Sequence, residues 1–271
     1  MRFHKLEEYL RTPIGATWMG HGKGSADFAQ LVRDAQKFYV GDVCVLRGIG
    51  WQEPPRLPYP MCVFEFQDAT PKGVNHPFFV LAEELGYSDP DHDGVRVHSF
   101  VPFSTKGNTD DIWMHNGWVY LNRLTKTYDS FVNSNTLKFL DSGPGYKQLA
   151  DSKMIEASII ASAQWLCSFL AVLNCSNVEV SEVAEPTALN KKRLKKGKVP
   201  IYSYKTLVLK TRQQRLTGNG HGTHESPRIH LRRGHIKRRK TGNFWWEPCV
   251  VGDRARGIVM KDYRADELLP V

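Results

Sequence analysis

Hydrophobic residues recur along this chain with two periods, and each period predicts its own kind of element. In "ADFAQLVRDAQKFY" (26–39), Phe28, Leu31, Val32 and Ala35 fall at helical spacing, with Ser25 placed to cap the first turn. "DVCVLRGI" and "YPMCVFEFQD" read as strands, the second entered through the Pro-rich "WQEPPRLPYP", which keeps the backbone extended. "PFFVLAEEL" suits either a strand or a helix, and "GVRVHSFVPF" alternates as a strand. In "DDIWMHNGWVYLNR", two runs rich in aromatic and β-branched residues flank Asn116-Gly117, the dipeptide best suited to a type I′ turn. A hairpin turning there is therefore expected.

From about residue 152 to 173 the pattern becomes apolar nearly all round a helix, with Trp165, Phe169 and Val172 at 3.6-residue spacing. Such a helix belongs at the centre of a fold, and its most apolar run, "IIASAQWLCSFLAVL", is too short to predict a membrane span. A short helix over 188–196 follows, with Thr187 as its cap and Gly197 as its stop. "IYSYKTLVLK" then alternates as a strand, the Gly-rich "RQQRLTGNGHGTHES" reads as a loop, and "GIVMKDYRA" reads as a last strand. The expected fold class is α+β, with curved antiparallel sheets packed on a central apolar helix. A division near residue 186, into a 1–186 part and a 187–271 part, is consistent with this pattern, as is one continuous domain.

Charge supports the division. Residues 187–264 hold 21 Lys and Arg against four acids (Glu225, Glu247, Asp253, Asp262). That segment is therefore +17 in a chain whose net charge is +9, and the remainder is −8. Such asymmetry calls for an anionic partner, nucleic acid before a membrane surface. The five scattered cysteines include no CxxC pair, so neither a zinc knuckle nor a disulfide framework is expected. The start, "MRFHKLEEYLRT", has no apolar signal core, and the expected setting is a reducing cytoplasm.

The basic charge concentrates in two places. "LNKKRLKKGK" carries Lys191, Lys192, Arg193, Lys195 and Lys196 on a short helix suited to tracking a phosphate backbone. "RIHLRRGHIKRRKTGNFWWEPCVVGD" (228–253) reads as a hairpin turning at about 240–243. Ile229 and Leu231 fall out of phase with Ile236, and a one-residue bulge at Arg233-Gly234 would repair the phase. His230, Arg232 and His235 would then share one face, flanked by Arg233, Lys237 and Arg238. Of the adjacent tryptophans one packs inward, and Trp245 is the candidate to stack on a base. Two His and an Arg suit a metal-independent ribonuclease: one His as general base, the other as general acid, the Arg holding phosphate. They equally suit a pure phosphate clamp. As zinc ligands the pair lacks a near third partner unless His221 or His224 joins it, so no metal and no cofactor are expected.

Other motifs carry less. "GHGKG" (20–24) fails the Walker spacing, and "DPDHDG" (89–94) has Phe100 where a calcium loop needs a bidentate Glu. An irregular metal site at Asp89, Asp91 and Asp93, or a cluster of Asp110, Asp111 and His115, remains as an alternative.

"ALNKKRLKKGKVPIYSYKTLVL", "HLRRGHIKRR", "FWWEPCVVGD" and "GIVMKDY", together with the earlier "RLPYPMCVFEF", resemble a pattern in proteins of tailed bacteriophages, strongest over 188–263. The resemblance implies a phage protein acting inside a bacterium and supplies no catalytic residues. The expected function is then nucleic-acid binding, RNA rather than DNA, through the basic hairpin and helix, with ribonuclease activity as its enzymatic form. The rival is a phage inhibitor whose basic face docks on an acidic host protein such as a defence factor. A third reading is a nucleotide pocket gripped by the His and Arg patch.

Overall fold

The computed structural model describes residues 2–13, 15, 25–42, 46, 56–69, 75–85, 93–102, 113–142, 151–209, 228–232, 235–246, 249–251 and 253–258. Within them helix α1 (Phe3–Leu10) and helix α2 (Ser25–Asp34) precede strand β1 (Gln36–Asp42). Four longer strands follow: β2 (Met61–Ala69), β3 (Asn75–Leu85), β4 (Gly94–Pro102) and β5 (Trp113–Asn122). Then come β6 (Tyr128–Val132), α3 (Ser134–Ser142), the long α4 (Ser152–Leu173), β7 (Val178–Val183), α5 (Thr187–Leu194) and β8 (Tyr204–Leu209). The basic segment ends in β9 (Arg228–Arg232), β10 (His235–Arg239), β11 (Gly242–Trp246), β12 (Cys249–Val251) and β13 (Asp253–Ile258).

The fold is α+β, as the hydrophobic periods predict. Eight strands form one sheet in the order β6-β5-β4-β3-β2-β1-β8-β7. The neighbours from β2 to β6 are antiparallel, while β1 runs parallel to β2 and β8. Helices cover both faces. On one, α4 buries Ile159, Leu166, Phe169 and Leu170. The Phe169 ring packs at 5.5 Å from Phe64 and 5.9 Å from Phe38, and the Ser162 and Ser99 hydroxyls lie 2.9 Å apart. On the other, Phe3 of α1 meets Phe79 at 5.8 Å, and Phe28 of α2 meets His98, Phe100 and His115 at 5.1–5.7 Å. By length and composition α4 could cross a membrane, but about half of its apolar window is buried against this sheet.

Two expectations from the sequence are corrected. The helix begun at Ser25 ends at Asp34, and "QKFYVGD" becomes β1, because Phe38 is needed in the aromatic core beside Phe64, 5.2 Å away. Asn116-Gly117 is not a turn. It lies in the middle of β5 at a bulge, where Ser99 pairs with Gly117 and Phe100 with His115. Gly117 takes φ +145°, and a Cβ there would stand 1.9 Å from the Phe131 carbonyl oxygen and 2.8 Å from Ile159. Glycine is required by the close approach of β6 and α4, and its turn propensity goes unused. "PFFVLAEEL" is a strand, and "DVCVLRGI" lies almost wholly outside the described residues.

One buried charge ties the first two helices to the segment after α5. Glu7 is fully buried and accepts from Arg11 at 2.7 Å, from Arg33 at 2.7 and 3.1 Å, and from the Tyr202 hydroxyl. Lys37 lies beside them, its ammonium 4.2 Å from the Tyr202 ring centre, and burial draws its pKa down to about 8.

Candidate interaction surface

The basic charge is displayed on two small elements that the acidic part of the chain holds in place. Helix α5 contributes little to the core: Asn190 is its one buried residue among those described. Its side chain donates to the Ile201 carbonyl and accepts from the Ile201 amide, both at 2.8 Å. Arg193 donates to the Val199 carbonyl at 2.8 Å and pairs with Glu8 of α1 at 2.8 Å. Arg193, expected from the sequence to contact nucleic acid, is therefore an internal strut. Its guanidinium is spent on Glu8 because α5 has no apolar seam with which to dock.

The remaining cations share a face. At 100° per residue, Lys191, Lys192 and the C-cap Lys195 lie within an arc of about 100° directed away from Asn190, and Lys196 follows in the closing turn. All four are exposed, and none forms an ion pair among the described residues. Lys191 and the C-cap Lys195 form a like-charged i,i+4 pair, which costs the helix about 0.2–0.5 kcal/mol. Gly197, at φ +64°, ends the helix as expected. The cation face therefore costs the helix local stability, and the element is held by polar contacts rather than by an apolar seam.

The second element is the hairpin β10–β11, which turns through Lys240-Thr241 between the paired Arg239 and Gly242. Arg232 pairs with Cys249 and His235 with Trp246, so the same number of residues lies between the two pairs on each strand. The one-residue bulge expected at Arg233-Gly234 falls on residues outside the described ones, and β9 belongs to a separate sheet with β12 and β13. Arg233 and the side chains of His230 and Arg232 lie outside the described residues. The composite of His230, Arg232 and His235 accordingly has only His235 placed.

Around His235 the parity of the strands settles which tryptophan does what. Ile236 pairs with Trp245; Trp245, 7% exposed, belongs to the core, and the half-buried Ile236 packs against it. Trp245, expected to be the stacking platform, is thus a core residue, because it shares the inward side with Ile236. Trp246 stands on the other side. The His235 ring stacks on it at 6.2 Å and 27°, and the Lys237 ammonium lies 5.2 Å from its ring centre. One step on, the Arg239 guanidinium lies 5.6 Å from the Phe244 ring. Trp246, Phe244 and Arg239 were missed by motif reading, though alternation counted from Ile236 would have found them. Arg238 is exposed and pairs in register with Asn243.

The alternative acid and metal sites fare differently. Asp89, Asp91, Asp110 and Asp111 lie outside the described residues, as do "GHGKG", His221 and His224. Asp93 is held by Arg123 at 2.6 Å. Among the described residues no group of three or more metal-ligating side chains occurs. His115 is buried, with its Nε2 3.2 Å from His98 Nδ1 and its Nδ1 3.3 Å from the Asn133 amide, and burial draws its pKa down to about 4. Cys62, Cys167 and Cys175 are buried free thiols, pushed up by desolvation to about 12, 12 and 11, as small core residues would be.

The fold is a two-sided α+β scaffold with exposed cationic side chains on α5, on the turn after it and on the β10–β11 hairpin. The family model described as AcrVA2-like, anti-CRISPR type V subtype A2 family, matches residues 49–255. The chain belongs to this family, a phage-type family. No curated protein and no solved structure matches it.

Proposed function

We propose that this protein is a phage inhibitor of type V CRISPR defence that acts inside the bacterial cell by docking on an acidic surface of a host defence protein. Membership of the anti-CRISPR family carries the reading. The physical support comes from α5 and the turn that ends it, where exposed Lys191, Lys192, Lys195 and Lys196 are held in place by Asn190 and by the Arg193–Glu8 pair. Charge displayed in this way steers encounter and fixes register with a negatively charged partner. It does so without ordering a flexible loop on binding, which would cost affinity.

The test is a challenge of bacteria that carry a type V CRISPR system with a phage it targets, with and without this chain. Expression of the chain should restore plaque formation. The quadruple variant Lys191→Glu, Lys192→Glu, Lys195→Glu, Lys196→Glu, confirmed as folded by circular dichroism, should lose most of that protection. Failure of the wild-type chain to restore infection removes the inhibitor reading. Full protection by the quadruple variant removes α5 as the docking face.

A further inference from the structure

The outer side of the β10–β11 hairpin is a surface the inhibitor reading does not use. From the structure we infer that it is a binding site for single-stranded nucleic acid, in which Trp246 and Phe244 stack bases while Lys237 and Arg239 hold phosphates. The inference stands on geometry independent of α5.

Three observations carry it. Cations and rings alternate on one side of the ribbon: Lys237 lies over Trp246 at 5.2 Å, Arg239 over Phe244 at 5.6 Å, and His235 stacks on Trp246 at 6.2 Å. The rings are only partly buried and the Lys237 and Arg239 side chains are exposed, so both reach the surface. The ribbon is also rigidly mounted. Trp245 is in the core, the Asn177 side chain bonds both the amide and the carbonyl of Trp245 at 2.8 and 2.7 Å, and the Ser176 amide donates to the Asn243 carbonyl at 2.7 Å.

The spacing selects the ligand. Phe244 and Trp246 are two residues apart on one strand, so their Cα atoms are about 7 Å apart. Consecutive bases in a stacked duplex are about 3.4 Å apart. Only an unstacked, extended strand can offer one base to each ring. Base edges in a duplex groove are read by hydrogen-bonding groups, whereas an aromatic face suits an exposed base face of any identity. In the free protein Lys237 and Arg239 occupy the ring faces as cation–π partners, an arrangement worth about 0.5–1 kcal/mol at an exposed site. When a base takes the ring, each cation is left beside the sugar–phosphate chain of that same nucleotide. The exchange preserves an aromatic contact and adds a charged one.

The experiment measures fluorescence anisotropy of labelled twelve-nucleotide oligouridine RNA, of the matching oligothymidine DNA and of a duplex of equal length, over a salt series. The wild-type chain should bind at least one of the single strands more tightly than the duplex. Binding of RNA alone, DNA alone or both names the strand. Trp246→Ala should weaken single-strand binding by about 5- to 150-fold, the effect of removing one stacked base. The double variant Lys237→Ala, Arg239→Ala, at exposed positions where folding is not at stake, should reduce the log–log salt slope by about 1.4, or two phosphates. No binding of either strand at 50 mM salt overturns the site. So does a duplex bound as well as a single strand, or an unchanged salt slope in the double variant. A Trp246→Ala protein that folds and binds undiminished reduces the surface to bulk charge and also overturns it. If Trp246→Ala abolishes capture of a host protein while oligonucleotide affinity is unchanged, the surface belongs to that protein and the nucleic-acid site is wrong.

Discussion

The side chain of Asn177 forms two hydrogen bonds with the backbone of Trp245: Oδ1 accepts from the Trp245 amide at 2.8 Å, and Nδ2 donates to the Trp245 carbonyl at 2.7 Å. A single amide thus mimics a strand neighbour and fastens the basic hairpin to the segment that leaves α4. Asn177→Ala leaves an amide and a carbonyl beside the core without partners, and should cost about 2 kcal/mol by urea unfolding. Hydrogen exchange in β10 and β11 should accelerate more than exchange in β3 and β4. Equal acceleration throughout would mean that the hairpin is not separately moored. Asn177→Asp keeps the acceptor and loses the donor, and should fall between the two.

Gly117→Ala tests the reinterpretation of Asn116-Gly117. A turn would accept alanine at a cost near 1 kcal/mol, whereas a Cβ 1.9 Å from the Phe131 carbonyl oxygen forces β6 away from β5. The expected loss is about 3 kcal/mol or more, read as a large drop in melting temperature or as insoluble protein.

His115 makes stability fall on acidification. Desolvation holds its pKa at about 4, against an ordinary value of 6.5. Between those pH values the unfolded chain binds the proton and the folded chain does not, so unfolding free energy rises with pH across the window. This contribution is fully present above pH 6.5 and is lost as pH falls to about 4, by about 3 kcal/mol in all. Glu65, whose pKa burial raises, slopes the other way, so the comparison is between wild type and His115→Gln. The wild type should lose more stability from pH 6.5 to 4 than the variant. Identical pH profiles would exclude His115 as the group responsible.

Asn190→Ala tests whether α5 depends on its polar clamp. Two hydrogen bonds to Ile201 disappear, and the cost should be about 1–3 kcal/mol. All four exposed lysines remain in this variant, yet protection of phage against type V defence should weaken, because their common angle is lost. Removing one charge of a like pair, as in Lys195→Gln, should instead stabilise α5 by about 0.2–0.5 kcal/mol while weakening the docking.

The sequence by itself determined the elements whose signal is local. The apolar run over 152–173 has to be the central helix, since no other position hides it, and Gly197 has to end α5. Alternation identified β2, β4 and β8. The charge asymmetry alone located the two basic elements. What depends on distant residues was decided by tertiary structure. Asn116-Gly117 has the composition of a turn, but β6 and α4 close over Gly117 from positions more than a dozen residues away. Arg193 looks like its lysine neighbours in the sequence, and only the arrival of Glu8 from α1 makes it a strut. Trp245 and Trp246 are indistinguishable in composition. Strand pairing places Trp245 opposite Ile236, and Asn177 holds it there, so that Trp246 is left on the outer side with His235 and Lys237. Local propensity acts over a few residues, whereas the side of a strand that is buried is set by whatever packs against it.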